Sequence, residues 1–340
     1  MTEHSKVKRG VGFLVTLFPV LIAAGCFQPI DVGSDRQPIA NVNELDGGWL
    51  RGPDGSVACG PECNPEDGGR AACSGDLVIG TQQQWDDFLA LGCSHFSGSI
   101  DVRADGPIPV VTNEVLQTVS GHLRIVSNPT SVSFPELTTV GGTVDLALSN
   151  NLTSVNLPLL TSAGSVNVLG NPLLTTLALP SLATVRGNLS IQSNGVTSVT
   201  LPSLHTIRGT GMGIVNNPNL VTISLPALQA PGLRFAVTDN PALTSLNLPA
   251  LAVAESLAVG RNDVLVTVEA PLLATVIGSL TIAENATLSM LFLPSLVTVG
   301  QDFYVDSNPR LPQCAVDALE AQLTTAPVTR TVSNNAATCP

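Results

Sequence analysis

Nearly the same words recur along this chain: NPLLTTLALPSL at 171–182, NPNLVTISLPAL at 217–228 and NPALTSLNLPAL at 240–251, with NGVTSVTLPSL at 194–204 one residue shorter. Asparagines at 128, 150, 171, 194, 217, 240, 262, 285 and 308 mark the period, and prolines at 135, 158, 180, 202, 226, 249, 271 and 294 keep step with them. A fixed period of about 23 residues requires a solenoid, in which each turn buries its apolar side only against the turns above and below it.

The columns of the repeat say what each turn is made of. Three residues before each proline stand Val132, Val155, Leu177, Val199, Ile223, Leu246, Val268 and Leu291, and directly before it stand Phe134, Leu157, Leu179, Leu201, Leu225, Leu248, Ala270 and Leu293. Four before it come Ser131, Ser154, Thr176, Ser198, Thr222, Ser245, Thr267 and Met290. Apolar and polar residues therefore alternate with period two, as a strand with one face in the core requires. A second strand precedes each asparagine, with apolar pairs such as Leu123 and Ile125, Leu189 and Ile191, or Phe303 and Val305. At Asn150 the pair is displaced by one residue, to Val144 and Leu146, which predicts a bulge or a slipped corner there. Two after each proline the residue is leucine in every turn, from Leu137 to Leu296. No helix-length segment fits inside the period. The fold class is all-β, a parallel β-helix of about nine to ten coils with a short capping helix at each end. Asparagine is expected to supply left-handed corner geometry, and its stacked amides to satisfy the corner backbone, while proline stops the strand.

Both raw ends of a solenoid need lids. The N-cap is assigned to 73–98, where Thr81 opens a short helix carrying Trp85, Phe88 and Leu89 on one face. The C-cap is assigned to 312–340, where Val316, Leu319 and Leu323 share a helical face and Val328 to Val332 add a last strand. Residues 26–72, rich in Gly, Pro and Asp, read as a flexible tether.

The first 25 residues are a separate object: Lys6, Lys8 and Arg9 precede the apolar run VGFLVTLFPVLIAAG, which is short for a membrane span and suits a secretory signal. The run ends in AAGC, which resembles a bacterial lipobox and makes Cys26 the expected lipidation site. Phe27, in place of aspartate, resembles the outer-membrane sorting pattern. The six remaining cysteines, Cys59, Cys63, Cys73, Cys93, Cys314 and Cys339, form an even set in an exported chain and are expected as disulfides. Six cysteines admit many pairings, and proximity to the caps points to Cys73–Cys93, Cys314–Cys339 and, in the tether, Cys59–Cys63. Removing Glu3 with Lys6, Lys8 and Arg9 takes away a net +2, moving the charge from −12 to −14. So acidic a chain has nothing from which to build a phosphate-neutralising patch, which excludes nucleic acid, and only the N-terminal lipid is expected to hold it to a membrane.

C-S-G-D-L-V-I at 73–79, a short helix, a second cysteine, S-G-S-I-D-V at 97–102 and the repeated N-P-x-L-T-S-L-x-L-P-x-L resemble the receptor L domain. The resemblance covers roughly 73–340 and implies a right-handed β-helix related to leucine-rich repeats. Its relatives include insulin and EGF receptor ectodomains, fungal cell-wall proteins and bacterial surface lipoproteins. It implies a module that recognises something at the cell surface without naming the ligand.

Catalysis finds little support. Polysaccharide-cleaving β-helices need carboxylates gathered on one face, and Asp145, Asp239, Asp263, Glu269, Glu284 and Asp306 read as falling in different columns. His95, His122 and His205 lack ligand or triad spacing, and Cys59-x3-Cys63 has no second pair to complete a zinc site, so no metal or cofactor is expected. Two before each proline the residues are Ser133, Asn156, Ala178, Thr200, Ser224, Asn247, Glu269 and Phe292, too uneven beside the Ser/Thr column for an ice-binding face; both columns read as a solvated sheet, and with aromatic residues at only 4% sugar binding by stacking finds weak support. The expected interaction face is the row two before each asparagine, Val126, Leu169, Gln192, Val215, Thr238 and Ala283, together with Gly260 and Asp306, as an exposed and partly apolar stripe. The chain is thus expected to be a non-catalytic, outer-membrane-anchored surface module binding a protein or a glycan; the alternatives are an envelope spacer without a ligand and, remotely, a polysaccharide-acting enzyme.

Overall fold

A computed structural model of the chain describes residues 49–51, 57–59, 71–103 and 108–337, with side chains from Cys73 onward, all within one compact unit spanning 41–340. The expected signal segment, Cys26, Cys63 and Cys339 lie outside the described residues. The chain forms a β-solenoid of about 11 turns. The count exceeds the nine to ten expected because both cap segments carry rungs of their own: Ala71–Ser74 and Leu77–Ile79 before the repeats, and Thr329–Ser333 after them. Within the expected tether, Trp49–Arg51 pairs antiparallel with Val57–Cys59.

One long parallel sheet runs from the first rung to the last. Val166, Leu189, Met212, Phe235, Leu257, Leu280 and Phe303 stand in unbroken register along it. A bulge at Gly141–Gly142 adds one residue to the strand Thr139–Ala147 relative to Ser162–Leu169. Opposite run two shorter parallel sheets. Val110–Thr112, Ser131–Ser133, Ser154–Asn156 and Thr176–Ala178 make the first; Ser198–Thr200, Thr222–Ser224, Ser245–Asn247, Thr267–Glu269 and Met290–Phe292 make the second. The ladder breaks between them where the repeat NGVTSVTLPSL loses a residue. Gly195 there replaces the proline of its neighbours, and its backbone lies so close to the Pro172 carbonyl that a Cβ would collide with it.

The apolar columns meet inside. Every leucine two after a proline, from Leu137 to Leu296, is fully buried, as are the paired residues of the long sheet from Leu123 and Ile125 to Phe303 and Val305. Helix α1, Gln82–Ala90, closes one end: Thr81 accepts the Gln84 N–H, and Trp85 and Phe88 are buried. Helix α2, Gln313–Ala321, closes the other with Val316 and Leu319 buried and Leu323 packed beside them. Cys73 and Cys93 are bridged, and Cys314 is disulfide-bonded to a partner outside the described side chains.

The corner before each strand of the short sheets holds the device that aligns the turns. Asn217 is completely buried; its N–H donates to Asn240 Oδ1 at 3.1 Å, and its Nδ2 donates to the carbonyls of Ile191 (3.0 Å), one turn back, and Val215 (3.1 Å). The same pattern repeats at Asn171, Asn194, Asn240, Asn262, Asn285 and Asn308. Asparagine fits because one side chain both accepts and donates, so it pairs the N–H of the neighbouring corner and gives the adjacent strand carbonyls a second bond.

Two expectations need correction. Asn128 and Asn150 are exposed and outside this ladder; Ser149 takes the slot, its N–H donating to Asn171 Oδ1 at 3.1 Å. The left-handed conformation also falls mostly on the residue before the ladder position, which is Ser149 after Leu148 and asparagine elsewhere: Leu148, Ser193, Asn216, Asp239, Arg261, Glu284 and Ser307 have φ between 52° and 60°. Holding side chains as bulky as leucine and arginine there costs on the order of 1 kcal/mol each, and the buried asparagine bonds offset it.

Replacing Asn240 with alanine would orphan the buried Asn217 N–H and remove the side-chain bonds to the Ile214 and Thr238 carbonyls. Asn240→Ala is expected to lower stability in urea denaturation by about 3 kcal/mol. Asn150→Ala, which the sequence alone would rank as equivalent, is expected to change it by less than about 0.5 kcal/mol.

Candidate functional site

The long sheet carries its outward charges at its two ends. Near the N-cap, Asp101, Arg124 and Asp145 stand in one row on successive rungs, and Arg103 pairs with Asp101. Asp145 is 7% exposed; burial holds its carboxyl above the usual carboxylate range, against the pull of Arg124, whose Nε lies 3.3 Å away. Toward the C-cap, Asp239 and Glu284 share the left-handed corner column with Arg261 between them, and Arg261 Nη2 donates to Asp239 Oδ2 at 2.8 Å. The carboxylates therefore do not all fall in different columns, as the spacing had suggested, because Asp239 and Glu284 each directly precede a ladder asparagine. Burial pushes the Asp239 carboxyl up, and the hydrogen bonds from Arg261 and Thr238 outweigh it, leaving the group below its ordinary range.

Among the described residues, no three His, Cys, Asp or Glu side chains are placed to hold a metal. The histidines serve local bonds: His95 Nδ1 lies 2.8 Å from Thr118 Oγ1, His122 Nδ1 accepts the Thr143 N–H at 2.9 Å, and His205 Nδ1 lies 3.1 Å from the Ser203 carbonyl.

The row expected to form the interaction face is a true row: Leu169, Gln192, Val215, Thr238, Gly260, Ala283 and Asp306 pair across successive rungs. It is not an exposed stripe. Val126, Leu169, Gln192 and Val215 are half-buried, while Thr238, Gly260, Ala283 and Asp306 are buried. The row ends where the chain enters the left-handed corner, so corner side chains on its flank, and rungs about 4.8 Å above and below, screen it.

The exposed regular surface is the outer face of the short sheets. One column reads Ser131, Ser154, Thr176, then Ser198, Thr222, Ser245 and Thr267; the other reads Ser133, Asn156, Ala178, then Thr200, Ser224, Asn247 and Glu269. From Ser198 to Asn247 every member is exposed. Both columns end on the last strand of the sheet at Met290 and Phe292, each 47% exposed. Among the described residues only one side-chain bond links members of this face, Asn156 Nδ2 to Ser133 Oγ at 3.3 Å. The corner threonines beside it are different: Thr130, Thr153 and Thr175 spend their hydroxyls on the carbonyls of Pro109, Thr130 and Thr153, one turn back. The sequence shows both sets of hydroxyls; only the backbone path separates those bonded inward from those left to solvent.

The last rung also has a missed member. Asn335 extends the asparagine ladder, accepting the Asn308 N–H, although it stands 27 residues on because α2 is inserted. Asp306 accepts hydrogen bonds from Ser333, Ser307, Asn334 and Tyr304, and Asp302 accepts them from Thr329 and Ser279. Burial pushes the Asp306 carboxyl up, but its four donors carry it below the ordinary range; for Asp302 the bonds from Thr329 and Ser279 dominate and lower it likewise.

A lowered carboxylate stabilises the fold above the unfolded value, about 3.9, and that contribution is lost as pH falls through the lower folded value. Asp306→Asn is therefore expected to lower the melting temperature at pH 7, and its deficit against the parent protein to shrink as pH drops below about 4. Thermal melts across that range check it; a deficit independent of pH would contradict the carboxylate's role. Comparison with known proteins adds no constraint on function: no family model, curated protein or solved structure matches the chain.

Proposed function

We propose that this chain is an exported lipoprotein, acylated at Cys26 and held at the outer membrane or cell surface, whose solenoid is a rigid, non-catalytic recognition or adhesion module. The observation that supports this reading is the outer face of the short sheets: exposed hydroxyl-bearing columns on a backbone fixed turn by turn by buried asparagines. Such a face is pre-organised, so a ligand spanning several turns loses little free energy in ordering it. The region resembling a receptor L domain contains this face, which replaces the half-buried row on the long sheet as the proposed contact surface.

Two measurements test the reading. Metabolic labelling with a fatty-acid analogue is expected to mark the protein and to miss Cys26→Ser; equal labelling would remove the lipid anchor from the account. Purified full-length protein, fluorescently labelled in detergent, is expected to bind cells lacking its gene saturably. The triple variant Thr200→Glu, Ser224→Glu, Ser245→Glu should lose that binding while melting within a few degrees of the parent, since surface substitutions cost about 0.5 kcal/mol or less each. Non-saturable binding unaffected by the variant would favour an envelope spacer without a ligand.

A further inference from the structure

Resting on the reading of this face as a recognition surface, we infer that its ligand is a neutral polysaccharide, laid along the solenoid axis with Phe292 as a stacking platform at one end.

The chemistry of the face excludes the other partner classes in turn. A phosphate- or carboxylate-rich polymer needs cations. The two columns have none; lysine does not occur after Lys8, the exposed Arg186, Arg208 and Arg234 sit at the corners leading into the long sheet, and the exposed Arg310 stands at the Asn308 corner, past the last strand of the face. A protein interface needs an apolar or aromatic cluster near its centre. Here the centre is Ser198, Thr200, Thr222 and Ser224, and the large apolar groups of the two columns stand at the ends, Val110 at one and Met290 and Phe292 at the other. On the two columns between Ser131 and Glu269 the only charge is Glu269, so the face offers a ligand hydroxyls and amides with almost no charge.

What remains suits a chain of uncharged hydroxyls. A serine or threonine hydroxyl both donates and accepts, so it meets a sugar hydroxyl in either sense. Rungs recur about every 4.8 Å, so an extended polymer meets at least one fresh hydroxyl at each turn from Ser131 to Thr267, and weak contacts accumulate along its length. The exposed ring of Phe292 offers a flat apolar surface to the C–H face of a sugar ring at the end of the track.

The test is affinity electrophoresis of the full-length protein in detergent, through gels containing hydroxyethyl cellulose, soluble starch or dextran, with alginate as the anionic counterpart. At least one neutral glycan is expected to retard the protein and alginate is not. Phe292→Ala should weaken retardation about tenfold, the Thr200→Glu, Ser224→Glu pair should abolish it, and Leu233→Ala, exposed on another corner, should leave it unchanged. Retardation by alginate alone, or by neutral glycans but undiminished in both variants, overturns the inference. A second arm uses the cell-binding assay. Periodate treatment of the cells, which cleaves vicinal diols, is expected to abolish binding and protease treatment to spare it; this supports the inference even if none of the three glycans is the right one. Binding that survives periodate and is lost to protease overturns the glycan while leaving the recognition reading in place. Absence of any saturable cell binding overturns both. Comparing cells of the producing strain with foreign cell walls in the same assay identifies the source of the polymer.

Discussion

The fold depends on a hydrogen bond that runs from turn to turn beside each strand ladder: the buried asparagine side chain that takes an N–H from the preceding turn and returns its amide protons to carbonyls at the corner. A parallel solenoid has no hairpins to set register, and its leucine rows would tolerate a slide of one turn against the next with little loss of apolar burial. The asparagines do not tolerate it. A turn out of register would leave a backbone N–H and a side-chain amide buried and unpaired together, a penalty of several kcal/mol at each corner.

From that alignment follow both the strain and the surfaces. The asparagine reaches its partners only if the residue before it turns into the left-handed region, so aspartate, arginine and glutamate are held there although glycine would be easier. Their side chains crowd the flank of the long sheet, which is one reason its outer row is half-buried. On the opposite side the chain leaves the corner directly into short strands, and their outward hydroxyls stand clear. The face proposed to bind ligand is thus a by-product of which side the corner strain is placed on.

Much of this was legible in the sequence, for physical reasons particular to repeats. Period-two alternation within a period of about 23 residues fixes which side chains share the core, so the leucine rows, the paired strand residues and the helical faces at Trp85 and Val316 are where the pattern puts them. What the pattern missed turns on single residues of backbone path. Ser149 and Asn150 differ by one position and only one of them can reach the ladder; Asn335 lies beyond an inserted helix, although Val332 three residues before it repeats the spacing of Ile191 and Asn194. Whether Thr238 faces water depends on what stands beside it at the corner, which alternation alone does not encode.

The central claim is that the asparagine corners, and not only the apolar core, hold the turns in register. Native-state hydrogen exchange on the full chain tests it most directly. The backbone amides of Asn194, Asn217, Asn240, Asn262 and Asn285, each donating to the next asparagine side chain, are expected to exchange only through global unfolding, with the protection of core strand amides such as Ile214 and Val237. Exchange as fast as that of Asp263 or Ala286, exposed at the same corners, would show that the corners open freely and that the core alone sets the register.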